Sequence, residues 1–144
     1  MDARWRRIGL TLSWLTFAGI CIWTAFQIDS KRTQPEGEIE ALYLENRSGV
    51  TVEAEGIVTK VFSDDLKGSR HQRFVVRLES GHTVLISHNI DLAPRVDALK
   101  TGDSIAFRGE YEWNDKGGVV HWTHHDPDGR RPGGWLRHDG HTYR

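Results

Sequence analysis

Residues 50–61 read VTVEAEGIVTKV, and they predict one long β-strand with a glycine in its middle. Apolar and polar residues alternate along the stretch, which is typical of a strand with one buried face. Gly56 predicts a bulge or a sharp bend, because glycine within a strand allows conformations that other residues resist. A bent first strand can serve both halves of a closed sheet, so this stretch decides the fold.

Four more strands and a short helix are expected after the first strand. Leu92, Val96 and Leu99 lie at helical spacing around Pro94 and predict a short helix between the third and fourth strands. This order predicts an all-β fold with small α content, an OB-like five-stranded β-barrel. Another small β-barrel or a sandwich is the alternative. Alternating runs predict the further strands at residues 71–80, 83–90, 104–114 and 119–126.

The end of the chain predicts a hairpin. Asp139-Gly140 lies between two short runs, and this dipeptide favours a type I′ turn. The residues expected to fill the barrel interior are Val52, Ala54, Val58, Phe74, Val76, Val84, Ile86, Ile105 and Phe107.

The start of the chain predicts a membrane segment. Residues 8–28 contain no charged residue, and as a helix they would span about 31 Å, close to the ~30 Å hydrocarbon core. Arginines within residues 1–7 place the N-terminus in the cytoplasm and the C-terminal domain in the periplasm or outside the cell. A single-pass inner-membrane anchor is the first interpretation, and a cleaved signal peptide is the alternative.

Residues 29–49 predict a polar tether. Ile39, Leu42 and Tyr43 lie at helical spacing within it and predict a short helix. Residues 50–144 are expected to form the β domain.

Composition limits the function classes. Cys21 is the only cysteine, so residues 29–144 have no disulfide and no cysteine nucleophile. Without residues 1–28, which hold three arginines and one aspartate, the 19 Lys+Arg and 20 Asp+Glu of the chain become 16 and 19, a net charge of −3. A nonspecific nucleic-acid binder would instead need a basic face. The sequence also lacks a P-loop, a Rossmann fingerprint and a G-x-S-x-G pattern.

Three long stretches and a closing tripeptide are together unusual enough to be specific: GSRHQRFVVRL (68–78), HNIDLAPR (88–95), GEYEWNDKGGVVHWTHHDP (109–127) and GGW (133–135). Together they resemble a bacterial family, domain of unknown function 3465, over roughly residues 50–144. The resemblance implies a small protein with a membrane or export segment ahead of the domain, and it implies no activity. The motif residues that map onto this chain are His71, His88, Asn89, Asp91, Arg95, His121, Trp122, His124, His125 and Asp126.

The stretch HWTHHDP, residues 121–127, is the densest cluster of candidate site residues. On a straight strand, His121 and His125 would lie about 13 Å apart at ~3.4 Å per residue. Zinc binds nitrogen at ~2.0 Å, so these two histidines cannot share an ion there. A strand that ends near Thr123 could fold His124 or His125 back.

Other candidates lie at neighbouring strand ends. His71 begins the second strand and His88 ends the third, so antiparallel pairing brings them to one rim. The fifth strand would complete a site if it ends at the same rim, with a divalent metal such as zinc as the cofactor. The predicted catalytic residues are His71, His88, Asp91, Arg95, His121 and His124; the predicted binding residues are Arg73, Asn89, Trp113 and Trp122; the predicted metal ligands are His88, His121, His124, His125 and Asp126.

Three functions stay open. The first is a metal-dependent hydrolase of a phosphodiester or other anionic substrate, with histidines as ligands or base, Asp91 as a ligand or histidine orienter and Arg95 as the anion clamp. Metal-free acid–base chemistry is a variant of it. The second is a non-enzymatic module that binds a small anionic or oligomeric ligand, such as a sugar, peptide or nucleic-acid segment, through Trp113, Trp122 and the basic positions Arg70 and Arg73. The third is an interaction protein of the cell envelope whose polar cluster only holds the barrel rim together. Asp91 and Asp126 have turn capping as their structural alternative.

Overall fold

The computed structural model describes residues 35–144. The predicted cytoplasmic start, membrane segment and membrane location rest on residues outside this range, so they stay predictions. Among the described residues, none forms a helix with the length and apolar character needed to cross a membrane. The elements within this range are α1 (Pro35–Leu44), β1 (Val50–Val61), β2 (His71–Arg77), β3 (Thr83–Asn89), β4 (Ser104–Glu112), β5 (Val119–His121), β6 (Trp135–His138) and β7 (His141–Tyr143).

β1 closes the sheet because it pairs with two partners. Residues 50–57 pair with β4, and residues 57–61 pair with β2, both antiparallel. The strand order β1-β2-β3-β5-β4 then returns to β1, with β3 and β5 parallel. The prediction of a closed five-stranded β-barrel is therefore confirmed.

Gly56 lies where β1 passes from one partner to the other. A Cβ atom at this position would lie 2.5 Å from the carbonyl oxygen of Arg77 on β2. Only glycine therefore allows the two backbones to approach so closely. The irregularity in the pairing lies slightly further along, between Val58 and Lys60.

The barrel interior is filled by alternate residues of each strand. All nine residues predicted to form the core are buried, most of them completely. Ile39 and Leu42 of α1 join the same cluster, so this helix packs on the barrel. Tyr111, Val120 and Leu136 complete the core with residues that the sequence did not single out.

The helix predicted between the third and fourth strands is wrong, because residues 90–103 follow an irregular path. The side-chain amide of Gln72, which is buried on β2, donates to the carbonyl of Val96 and accepts from its N–H, both at 2.9 Å. These bonds satisfy the buried N–H and C=O groups of Val96, which hydrogen bonds within a helix would otherwise satisfy. Val96 still packs in the core, whereas Leu92 is 38% exposed.

The C-terminal strands extend the sheet beyond the barrel. β6 pairs with β4, and β7 pairs with β6. Asp139 and Gly140 connect β6 and β7, with φ angles of 47° and 75°. Positive φ at both positions matches the type I′ turn that the dipeptide predicts.

Gly134, just before β6, fixes the segment that follows β5. Its N–H donates to the carbonyl of His124 at 2.8 Å. A Cβ atom at Gly134 would overlap the carbonyl oxygen of Trp122 and would lie 2.6 Å from that of Arg108. Two backbone segments therefore meet at a position with no room for a side chain.

We expect Gly134→Ala to lower the free energy of unfolding by about 1–3 kcal/mol, the usual cost of overpacking. The matched control is Gly133→Ala, since a Cβ atom there has its nearest contact at 3.7 Å. Thermal and urea unfolding of both variants would measure the effect. Equal stability of the two variants would contradict the close approach at Gly134.

Candidate functional site

Trp122 directly follows β5 and has an unusual backbone conformation. Its φ angle is 53°, in the left-handed region that bulky residues rarely adopt. The chain turns there, which buries Thr123 completely and folds His124 back. His121, Trp122 and His124 consequently reach the same side of the barrel, which a straight strand would not allow.

These residues line a pocket of about 170 Å³ on the outer face of the barrel. β2 contributes His71, while β3 contributes Ser87 and Asn89. The predicted convergence of strand ends thus occurs for part of the predicted set. The pocket is lined by Ser69, His71, Ser87, Asn89, Leu92, His121, Trp122 and His124.

Two of the pocket histidines have the same hydrogen-bonding arrangement. Nδ1 of His71 lies 2.7 Å from the carbonyl oxygen of Ser69. Nδ1 of His124 lies 2.7 Å from the carbonyl oxygen of His125. Because a carbonyl only accepts, each Nδ1 carries the proton, and Nε2 is the nitrogen left for a ligand. Burial lowers the pKa of His124, which favours its neutral form.

His88 lies beneath the pocket and is completely buried. Its Nε2–H donates to the carbonyl of Pro94 at 3.1 Å, and its Nδ1 accepts from the Thr123 hydroxyl at 2.8 Å. Burial lowers the pKa of His88 to about 4, so the ring is neutral near pH 7. Both nitrogens are engaged, so the geometry makes His88 a structural residue instead of the predicted ligand or base.

Asp91 and Arg95 lie in ion pairs outside the pocket. Asp91 accepts from the backbone N–H of Arg70 at 2.8 Å and from its guanidinium at 2.6 Å. Arg95 pairs with Asp64 at 2.9 Å and with Asp97 at 3.1 Å. The predicted roles of Asp91 as a ligand and Arg95 as an anion clamp are therefore corrected, because their charges are already paired.

His125 and Asp126 do not join the pocket either. His125 is exposed. The carboxylate of Asp126 accepts from the backbone N–H groups of Arg130 and Arg131 at 2.7 and 2.8 Å, which caps the loop before β6. The turn-capping alternative thus describes Asp126 better than the metal-ligand prediction does.

Two predicted binding residues also point elsewhere. The Arg73 guanidinium lies 3.7 Å from Asp65 and faces the ring of Phe62. Trp113 donates to the carbonyl of Tyr43 and packs at the helix end of the barrel. Of the four predicted binding residues, Asn89 and Trp122 are the two that line the pocket.

The sequence reasoning missed a group of two carboxylates beside His121. Within residues 35–144, one group of three potential metal-binding side chains (His, Cys, Asp or Glu) has all of its ligand atoms within 4.8 Å of one another. Its members are Glu110, Glu112 and His121. Nε2 of His121 lies 3.9 Å from Glu110 and 3.8 Å from Glu112, and it is buried with no hydrogen-bond partner. The signal was present in the hairpin of β4 and β5, which places Glu110 directly opposite His121.

We expect His88 to make stability depend on pH. Its pKa is lowered by folding from 6.5 to about 4, so the unfolded chain takes up the proton first as the pH falls. The stabilisation linked to neutral His88 is complete above about pH 6.5. It decreases as the pH falls toward about 4, by about 3 kcal/mol of unfolding free energy in total. Urea unfolding across this range should show a smaller pH dependence for His88→Gln, which cannot titrate. If the unfolding free energy of the variant depended on pH as strongly as that of the original protein, His88 would not be the neutral, buried group described above.

The comparisons with known proteins give a family and no activity. No curated protein matches the chain. The family described as "Protein of unknown function (DUF3465)" matches residues 20–144, most of the chain and the whole barrel. This match confirms the resemblance to that family. The chain therefore belongs to the DUF3465 family of proteins of unknown function.

Proposed function

We propose that the domain is an OB-type barrel that binds a ligand in the pocket on the outer face of β2 and β3. The strand order β1-β2-β3-β5-β4-β1, with parallel β3 and β5, supports this assignment. In OB folds, the face of the second and third strands is the usual place for oligonucleotides and oligosaccharides. His71 and Asn89 lie on that face.

One observation carries the proposal. Polar side chains from three separate segments converge on one pocket, and two of them are histidines with Nε2 uncommitted. A concave site with a few convergent polar groups is the usual form of a ligand site. The strained conformation of Trp122 supports the proposal further, because such strain is concentrated at functional positions.

A fragment screen by NMR would test the proposal. We expect shift changes to concentrate at His71, Trp122 and His124, and to disappear in His124→Asn. A second pocket of about 390 Å³, lined by Glu55, Arg77 and their neighbours, serves as the internal control. If no fragment bound at the histidine pocket, or if fragments bound only elsewhere, the proposal would be wrong.

A second candidate, a metal-dependent hydrolase, is favoured by Glu110, Glu112 and His121. Two carboxylates and one imidazole are ligands that zinc accepts. The buried Nε2 of His121 can be satisfied there by a proton or by a metal ion. Arg131 lies 2.6 Å from the other oxygen of Glu110, so it reduces the negative charge of the group.

A metal ion held by three protein ligands keeps a position for water, which it can activate as a nucleophile. His121 also lines the pocket, so a metal at this group would lie beside a bound ligand. That placement is what the hydrolase candidate requires.

We expect the purified full-length chain to bind about one zinc ion, with Glu112→Gln and His121→Gln weakening the affinity at least about tenfold. Isothermal titration with zinc chloride, checked by mass spectrometry of bound metal, would measure this. Glu53→Gln is the control, because Glu53 faces solvent on β1. Zinc affinity that is equal in all four proteins would exclude this metal site.

A further inference from the structure

The histidine tautomers determine what the pocket can bind. His71 and His124 each donate Nδ1–H to a backbone carbonyl, so their neutral rings offer Nε2 only as an acceptor. Within the described residues, neither Nε2 has a hydrogen-bond partner. Asn89 uses its side-chain oxygen to accept from the N–H of Asp91, which leaves its amide group as a donor. Ser69 and Ser87 add hydroxyl groups that can donate or accept.

The pocket contains little that would attract an anion. In the described part of the chain, no Lys, Arg, Asp or Glu side chain lines it. The nearby arginines have acidic partners: Arg70 pairs with Asp91, and Arg131 pairs with Glu110. An anion would therefore enter a site whose two histidine nitrogens present lone pairs toward it. A ligand that donates hydrogen bonds fits these lone pairs better.

The pocket wall also has an apolar part. Leu92 is 38% exposed. The Trp122 indole lies beside the His124 ring with centroids 5.2 Å apart, and the Arg131 guanidinium lies 4.5 Å from the indole centroid, so Trp122 offers only part of its surface. A volume of about 170 Å³ is below the ~300–1,000 Å³ of sites for drug-sized ligands. It therefore suits one small unit of a longer molecule. A sugar ring combines hydroxyl groups at its edge with an apolar face of C–H groups.

We propose that the pocket binds one sugar unit of a neutral glycan, whose hydroxyl groups donate to Nε2 of His71 and of His124 while an apolar face of the ring rests on Leu92 and on the exposed part of Trp122. This inference rests on the proposed function of the pocket as a ligand site, and it names the class of ligand.

Titration of the full-length protein with neutral trisaccharides tests the inference. Cellotriose, maltotriose and chitotriose are the neutral probes, and inorganic phosphate and trigalacturonate are the anionic probes. We expect at least one neutral probe to shift the NMR signals of the His71 and His124 side chains. His71→Asn and His124→Asn should each weaken its binding about five- to tenfold, because asparagine keeps the donor to the carbonyl and removes Nε2. The matched control is His141→Asn, since His141 donates Nδ1 to the carbonyl of Asp139 on the exposed hairpin.

The pH dependence separates the two classes of ligand. Acidification that protonates His124 removes the acceptor at its Nε2, so binding of a neutral sugar should weaken; because burial lowers the pKa of His124, this needs a pH below the ordinary range of histidine. The charged state of His124 also responds to His71, His88, His125 and Asp126 around it. Binding of an anionic probe that strengthens on acidification, with no binding of neutral sugars, would overturn the inference and leave the pocket as a ligand site. Failure of every fragment, sugar and anion to bind there would overturn the proposed function as well.

Discussion

The double pairing of β1 is the constraint on which the rest of the structure depends. One strand hydrogen-bonds to β4 along its first half and to β2 along its second half, so the sheet has no free edge between them. Gly56 makes this possible, because the backbone of β2 passes where a side chain would be. Barrel closure then sets the pleat of every strand. It directs Phe74 and Phe107 inward, and it leaves His71 and Asn89 on the outer face where the pocket lies.

The parts of the fold that could be predicted from the sequence are those specified by local signals. Alternating residues, Gly56 and the Asp139-Gly140 turn each act within a few positions, and the barrel and its core followed from them. The helix predicted after Pro94 failed for a non-local reason. Helical spacing of Leu92, Val96 and Leu99 could not reveal that Gln72, from another strand, binds the backbone of Val96.

The site was predictable in part for the same reason. His71, His121 and His124 come together for two reasons. The first is the position of the strand ends, which the sequence locates; the second is the backbone conformation of Trp122, which the sequence does not reveal. Whether a polar residue is free depends on partners distant in sequence. Asp91 and Arg95 have such partners, and so does His88. Glu110 and Glu112 were overlooked because their relation to His121 exists only across a hairpin.

The strand order also has a consequence for how the chain folds. β1 and β4 lie about fifty residues apart in sequence, yet they share eight paired positions. Loop closure over such a distance costs entropy before any pairing compensates for it, and sheets rich in distant pairs form slowly. During synthesis, the first half of β1 exposes an unpaired edge until residues 104–112 emerge. For that interval the long alternating strand is open to pairing with other chains, so the protein depends on its own C-terminal half to protect it from aggregation.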